Sequence, residues 1–260
     1  RGLGVETLYA GPLGEGPFAE VARQALEAIG VDHVGPLVPG DQGYCVAMTD
    51  ARAERTFVST RGAETRGPLD AFDHLEVRGD DVVYISGYSL ADEASRVALE
   101  RLVGRLAQDR VGCRALFDVS PMVGSVPLPA LERIGELEPI WSLNERESGL
   151  LAARLGSAVE AGDHASTCEA LSGPLGTVLV RAGERGSWFA DGGSATRTPS
   201  IPVTPVDTNG AGDAHSGVLA AALARGTDLA TALRWANIAG ALTTTHFGPA
   251  TCPSEAEIRA

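Results

Sequence analysis

The chain has 260 residues, 44% hydrophobic and 21% charged, enough to bury a core without disulfide staples and too apolar for a disordered or collagen-like chain. Acids outnumber bases 34 to 21, a formal charge of −13, which argues against general affinity for nucleic acid or an anionic membrane. Every basic residue is Arg, which excludes a Walker A lysine, a Schiff base and a Ser–Lys dyad and leaves phosphate to backbone amides, Arg and metal.

In chain order, residues 6–10 read as a strand. Residues 17–29 read as an amphipathic helix, with Phe18, Val21, Ala22, Ala25, Leu26 and Ile29 at helical spacing. Residues 44–49 and 55–59 form a hairpin whose turn is the polar stretch 50–54. An apolar strand at 82–86 precedes a helix at 92–108, and a second strand at 115–119 carries Asp118 and stops before Pro121. A short strand at 140–143 leads to Asn144, which caps a helix reaching 155. The strand 178–181 is followed by Gly183 and Gly186, then by antiparallel strands at 187–190 and 196–201. Helices fill 212–225 and 229–244, with a short piece near Ser254.

This alternation predicts an α/β fold: one domain over 1–260, its central, mostly parallel sheet covered by helices on both faces. Residues 43–60 interrupt the rhythm as a small β appendage. The four cysteines (Cys45, Cys113, Cys168 and Cys252) form no C-x-x-C pair, so reduced thiols in the cytoplasm are expected. The longest apolar stretch, 218–224, is too short to span a membrane. The chain starts at Arg1 without Met, and an N-terminal piece is expected to be absent.

Ligands of open α/β sheets bind outside the carboxyl ends of the strands, so motifs that follow strands come first. The foremost is Asp207-Thr208-Asn209-Gly210-Ala211-Gly212-Asp213, opening an Ala-rich helix. Small residues at a helix N-terminus let an anion approach free amides. An acid there repels phosphate, and is explained if it accepts a proton from an attacking hydroxyl. Locally the same residues are equally a glycine turn, with Asp213 complementing the helix dipole. Asn144 and Glu147 offer hard oxygens suited to Mg²⁺, or else form an ordinary capping box. Gly183 and Gly186 bracket either a phosphate-binding turn or a plain hairpin turn. Arg181 serves either a nucleotide phosphate or an acidic side chain, and Asn237 either the nucleotide or the helix interior.

The segment 207–213 resembles the D-T-x-G-A-G-D signature of the ribokinase-like (PfkB) carbohydrate kinases. Supporting matches follow in order: "GLGVETLYAGPLGEGPFAE" near the start, Asn144-Glu145-Arg146-Glu147, "VLVRAGERGSWF" and "WANIAGAL". The resemblance implies a ribokinase-like fold with a small β lid at 43–60. It implies ATP-dependent phosphorylation of a sugar hydroxyl. Asp213 would be the base, with Gly210, Ala211 and Gly212 forming an anion hole. Mg²⁺ would be organised by Asn144 and Glu147, and the nucleotide by Arg181, Gly183, Gly186 and Asn237. Asp207 and Asn209, with the loop 248–250, would take a monovalent cation such as K⁺. Thr60 and Arg61 follow the hairpin where a lid would meet substrate, and the lid edge would support a homodimer.

Three departures bear on substrate. His215 stands where the family usually has Phe, and Arg181 where many members have Thr. Ser120 and Met122 replace the Asn and Arg that follow Asp118's counterpart in fructokinase-like members. The family's first strand and Gly-Gly-x-x-x-N segment have no counterpart, and those residues normally hold the sugar. A nucleoside kinase of the same family and a non-catalytic nucleotide- or sugar-binding protein remain the rival readings. A dinucleotide-dependent dehydrogenase is disfavoured, because the glycine spacing of "GPLGEGPF" does not fit G-x-G-x-x-G.

Overall fold

The computed structural model describes residues 1–49 and 55–260, so the predicted turn 50–54 lies outside the described residues. Its contacts divide the chain into two compact units: Arg1, Glu6–Glu76 and Ser89–Leu102 form one, and Gly2–Val5, Val77–Tyr88 and Val103–Ala260 the other.

The first unit contains β1 (Leu8–Tyr9), α1 (Pro17–Ala28), β2 (Asp32–His33), and the hairpin of β3 (Cys45–Thr49) and β4 (Arg55–Ser59). β1 and β2 pair in parallel, and Val46 faces Val58 across the antiparallel hairpin. α1 begins where predicted because Asp41, distant in sequence, accepts hydrogen bonds from the amides of Phe18 (3.3 Å) and Ala19 (3.0 Å) and so takes the part of an N-cap side chain. The apolar stripe predicted to be its core face is not buried: Phe18, Val21 and Ile29 are exposed. Phe18 instead stacks on the Tyr44 ring at 4.7 Å.

The remaining elements are β5 (Val82–Ser86), α2 (Glu93–Gln108, which contributes to both units), β6 (Arg114–Asp118), α3 (Leu128–Gly135), β7 (Ile140–Asn144), α4 (Glu145–Arg154), α5 (His164–Leu175), β8 (Thr177–Arg181), β9 (Ser187–Asp191), β10 (Thr196–Thr198), α6 (Ala211–Ala224), α7 (Leu229–Thr243) and α8 (Glu255–Arg259). The second unit is built on a six-stranded sheet ordered β10-β9-β8-β7-β6-β5. β5 to β8 run parallel, while β9 is antiparallel to both its neighbours. Side chains alternate across a strand, and β8 shows what that does here. Leu179 packs with Leu219, Ala222, Leu233 and Ala236 of α6 and α7 on one face. On the other face the Cys168 thiol of α5 reaches the Val178 carbonyl at 3.4 Å, and His164 of α5 lies against Trp188. Phe117 and Trp141, both fully buried, meet edge to face at 5.1 Å. Helices therefore cover both faces, and the carboxyl ends of β6, β7 and β8 open together at one end of the sheet. Among the described residues no helix is long and apolar enough to cross a membrane.

Candidate active site

Asp213 is the third residue of α6, and the turn before it is fixed by glycine. Gly210 has φ 78°, and a β-carbon there would stand 2.0 Å from the Pro249 carbonyl oxygen. Only glycine accepts both that conformation and that approach. The first backbone bond of the helix runs from the Ala214 amide to the Gly210 carbonyl, 2.9 Å. The amides of Ala211, Gly212 and Asp213 precede it, without helical partners, at the positive end of the helix dipole.

Two more carboxylates stand at the ends of neighbouring strands. Asp118 closes β6, and Glu147 is the third residue of α4, directly after β7. Arg181, the last residue of β8, reaches between them with a side chain only 12% exposed. Its Nη1 and Nη2 lie 3.1 and 3.2 Å from the two Asp118 oxygens. Nη1 also donates to the Gly212 carbonyl at 3.2 Å, and Nη2 is 3.7 Å from Glu147 Oε2. Ser216, one turn beyond Asp213, donates its hydroxyl to Asp118 Oδ2 at 2.8 Å.

These neighbours tune the acids. Desolvation, then the charge of Asp118, pushes the Asp213 carboxyl above the ordinary carboxylate range, and Arg181 opposes the rise. Burial raises Glu147 in the same way, against the Asn144 amide and Arg181. Tyr84 of β5 belongs to the same electrostatic neighbourhood: burial, then Asp118 and Asp213, hold its phenol protonated well above the usual value.

Asn144 and Glu147 form a complete capping box. The Asn144 side chain accepts from the Glu147 amide (2.9 Å), and Glu147 Oε2 accepts from the Asn144 amide (2.8 Å). The carboxylates at the ends of β6 and β7 are hard oxygen donors of the kind Mg²⁺ takes one or two at a time, with water completing its shell. Asp207 joins two loops, accepting from the amides of Asn209 (2.9 Å) and Gly248 (3.1 Å). Asp207 thereby links Asn209 to the loop 248–250. Gly183 and Gly186 both adopt positive φ, and the turn closes by the Ala182 amide bonding the Gly186 carbonyl at 2.8 Å.

Four of the residues expected at the site have protein partners of their own. Arg181 takes the acid-pairing one of its two expected roles, because its terminal nitrogens are committed to Asp118, Gly212 and Glu147. Asn237 has the partners of a satisfied interior amide. It is buried, donates to the carbonyls of Thr198 (2.9 Å) and Pro199 (3.3 Å), and lies 3.1 Å from His215 Nε2 through its own oxygen. Thr60 and Arg61 follow β4 in the first unit. There Thr60 closes the hairpin on Tyr44, and Arg61 pairs with Asp92 at 3.1 Å. Sequence reasoning passed over Ser216, although its i,i+3 spacing from Asp213 put it on the same helix face.

A family model described as the pfkB family carbohydrate kinase matches residues 2–256. The chain is 31% identical over 257 residues to a protein of Escherichia coli (strain K12) named as the sugar kinase YegV, covering 98% of this chain and 78% of that one. Among solved structures, a ribokinase II of E. coli in complex with ATP and Mg²⁺ superposes with a TM-score of 0.79 at 23% identity, over 99% of this chain and 83% of that one. A fructokinase of Vibrio cholerae with fructose, ADP and calcium bound superposes with a TM-score of 0.78 at 22% identity, over 99% and 86%. With a glycine-opened helix carrying Asp213 at the carboxyl end of a ribokinase-type sheet, the chain belongs to the pfkB family of carbohydrate kinases.

Proposed function

We propose that this kinase transfers the γ-phosphoryl group of ATP to a hydroxyl of a small sugar or sugar derivative. The carrying observation is one helical turn holding both a carboxylate with raised proton affinity and three amides without helical partners. Asp213 takes the hydroxyl proton as the acceptor oxygen bonds phosphorus and the bond to the ADP oxygen breaks. The amides of residues 211–213 offset the charge on the transferring group from a fixed position. Mg²⁺, when bound with the nucleotide, supplies charge neutralisation of the phosphate oxygens, and Asn144 and Glu147 are the residues that would hold it through water. The turn at Gly183 and Gly186 lies along the nucleotide. Asp207 and Asn209 with the loop 248–250 take a monovalent cation, and Thr60 and Arg61 serve the substrate side.

The test is ADP release from Mg·ATP across sugars, sugar acids and nucleosides, with Asp213→Asn alongside. Losing a general base costs about 10²–10⁴ in rate, so acceptor-dependent release should nearly vanish in the variant while nucleotide binding stays. A variant that keeps most of its turnover removes Asp213 from the role. Release driven by nucleosides alone would move the substrate class to the rival reading.

A further inference from the structure

We propose that Arg181 is a positioning residue for this site: its guanidinium clamps the first turn of α6 to the end of β6, and so holds the free amides and Asp213 in place. The inference rests on the kinase reading for its catalytic consequence, though not for its structural one. Nη1 is shared between an Asp118 oxygen (3.1 Å) and the Gly212 carbonyl (3.2 Å), and Nη2 lies between the other Asp118 oxygen (3.2 Å) and Glu147 (3.7 Å). Gly212 is the second residue of α6, between Ala211 and Asp213, so whatever fixes its carbonyl fixes the peptide plane carrying the Asp213 amide. The anchor is itself held, since Asp118 accepts from Ser216 at 2.8 Å in the next turn of the same helix. Two consecutive turns of α6 are thereby tied to one carboxylate at the end of β6.

Glycine at 212 permits the clamp, because a β-carbon there would stand 2.8 Å from Nη1. The clamp also needs arginine specifically: lysine brings one point charge and cannot fork to both oxygens of a carboxylate. The guanidinium contributes to chemistry through α6, and its terminal nitrogens are committed to protein groups instead of an incoming nucleotide.

The test compares wild type, Arg181→Met, Arg181→Lys, Gly212→Ala and the double variant Arg181→Met/Asp118→Asn, which leaves no unpaired charge at Asp118. Hydrogen exchange of the amides of residues 214–216, read on the free protein, does not depend on the enzymatic reading. Exchange about tenfold faster or more in both Arg181→Met and the double variant is expected, with cooperative melting kept in the double variant. Displacing a reacting group by about 1 Å costs on the order of 10² in rate. With Mg·ATP and an acceptor, kcat should therefore fall about a hundredfold while KM for ATP stays within about threefold. Arg181→Lys should recover part of kcat, and Gly212→Ala, which only has to push aside the end of a flexible side chain, should resemble Arg181→Met. Unchanged exchange overturns the clamp. A raised KM for ATP with kcat preserved overturns it in favour of direct nucleotide contact. If no acceptor is turned over by wild type, the kinase reading fails while the exchange result still decides the clamp.

Discussion

His215, two residues beyond Asp213 in α6, is 5% exposed, its Nε2 3.1 Å from Asn237 Oδ1 and its Nδ1 without a hydrogen-bond partner among the described residues. Burial, then the charge of Arg181, presses its pKa down to about 3, and the bond to Asn237 opposes this. The ring is therefore neutral, carrying its proton on Nε2 so that it donates to Asn237. In the unfolded chain the same imidazole titrates near 6.5. Between those values the unfolded state binds more protons, so stability is fully present above about pH 6.5 and is lost as pH falls toward 3. The slope reaches about 1.4 kcal/mol per pH unit for one such group. His215→Phe removes this proton uptake but leaves the Asn237 oxygen without its donor, so its Tm starts lower. The readout is the slope: from pH 7 to 5, above most carboxylate titration, wild-type Tm should fall more steeply than that of the variant. Parallel curves would place His215 in a solvated environment.

At the scale of elements, the sequence makes the start of α6 an irreplaceable turn and its middle an ordinary helix. Gly210 combines φ 78° with a carbonyl 2.0 Å from where its β-carbon would be, whereas a β-carbon at Gly217 in the same helix meets nothing within 4 Å. Gly210→Ala should cost about 1–3 kcal/mol in urea unfolding and abolish turnover, because the amides of 211–213 move with the turn. Gly217→Ala should gain about 0.5–1 kcal/mol from helix propensity alone. Equal effects from the two would remove the backbone argument. The same physics sorts which elements the sequence displayed. β5 lies at 82–86 as read, because its β-branched and aromatic run displays strand propensity even at the sheet edge, where only Ile85 is buried. β10 stops at Thr198 instead of running to 201; Pro199 has no amide to donate and Pro202 follows. α5 escaped because it carries Gly173 and Pro174 and buries Thr167, Cys168 and Leu171 without a clear polar face. α3 escaped because Pro127 and Pro129 at its start read as loop, although proline is favoured in a first helical turn. At the candidate site, Asp213 and the glycines before it stand in one local string. The clamp does not: Arg181 and Ser216 lie 63 and 98 residues from Asp118, and only the order of strands in the sheet brings them together.

For the whole molecule, the dominant long-range term is charge: 34 acids against 21 arginines, net −13. Part of that charge is neutralised pairwise, as in Arg225–Glu255 (2.8 Å) and Arg133–Glu136 (2.7 Å), but exposed pairs of this kind contribute about 0–1 kcal/mol each. The excess acids repel one another across the folded surface, and that repulsion is relieved when the chain expands. Raising ionic strength from about 0.01 to 0.1 M shortens the screening length from about 30 to about 10 Å. Distant like charges are then screened while contacts at hydrogen-bond distance keep most of their attraction. Folded stability should therefore rise with salt, and a gain of 1 kcal/mol corresponds to about 2–4 °C in Tm for chains of 150–250 residues. Choline chloride is the proper titrant, because the methyl groups of its quaternary ammonium keep its charge from the close oxygen contacts that a bare monovalent cation makes. A Tm that climbs by a few degrees in choline chloride reports screening alone, and a flat or falling Tm there would mean that attractive pairs outweigh the net charge. KCl at the same ionic strength then isolates the specific part. An additional rise that Asp207→Asn removes belongs to a monovalent cation at Asp207, Asn209 and the loop 248–250, and coincident KCl and choline curves would remove that cation from the proposed site.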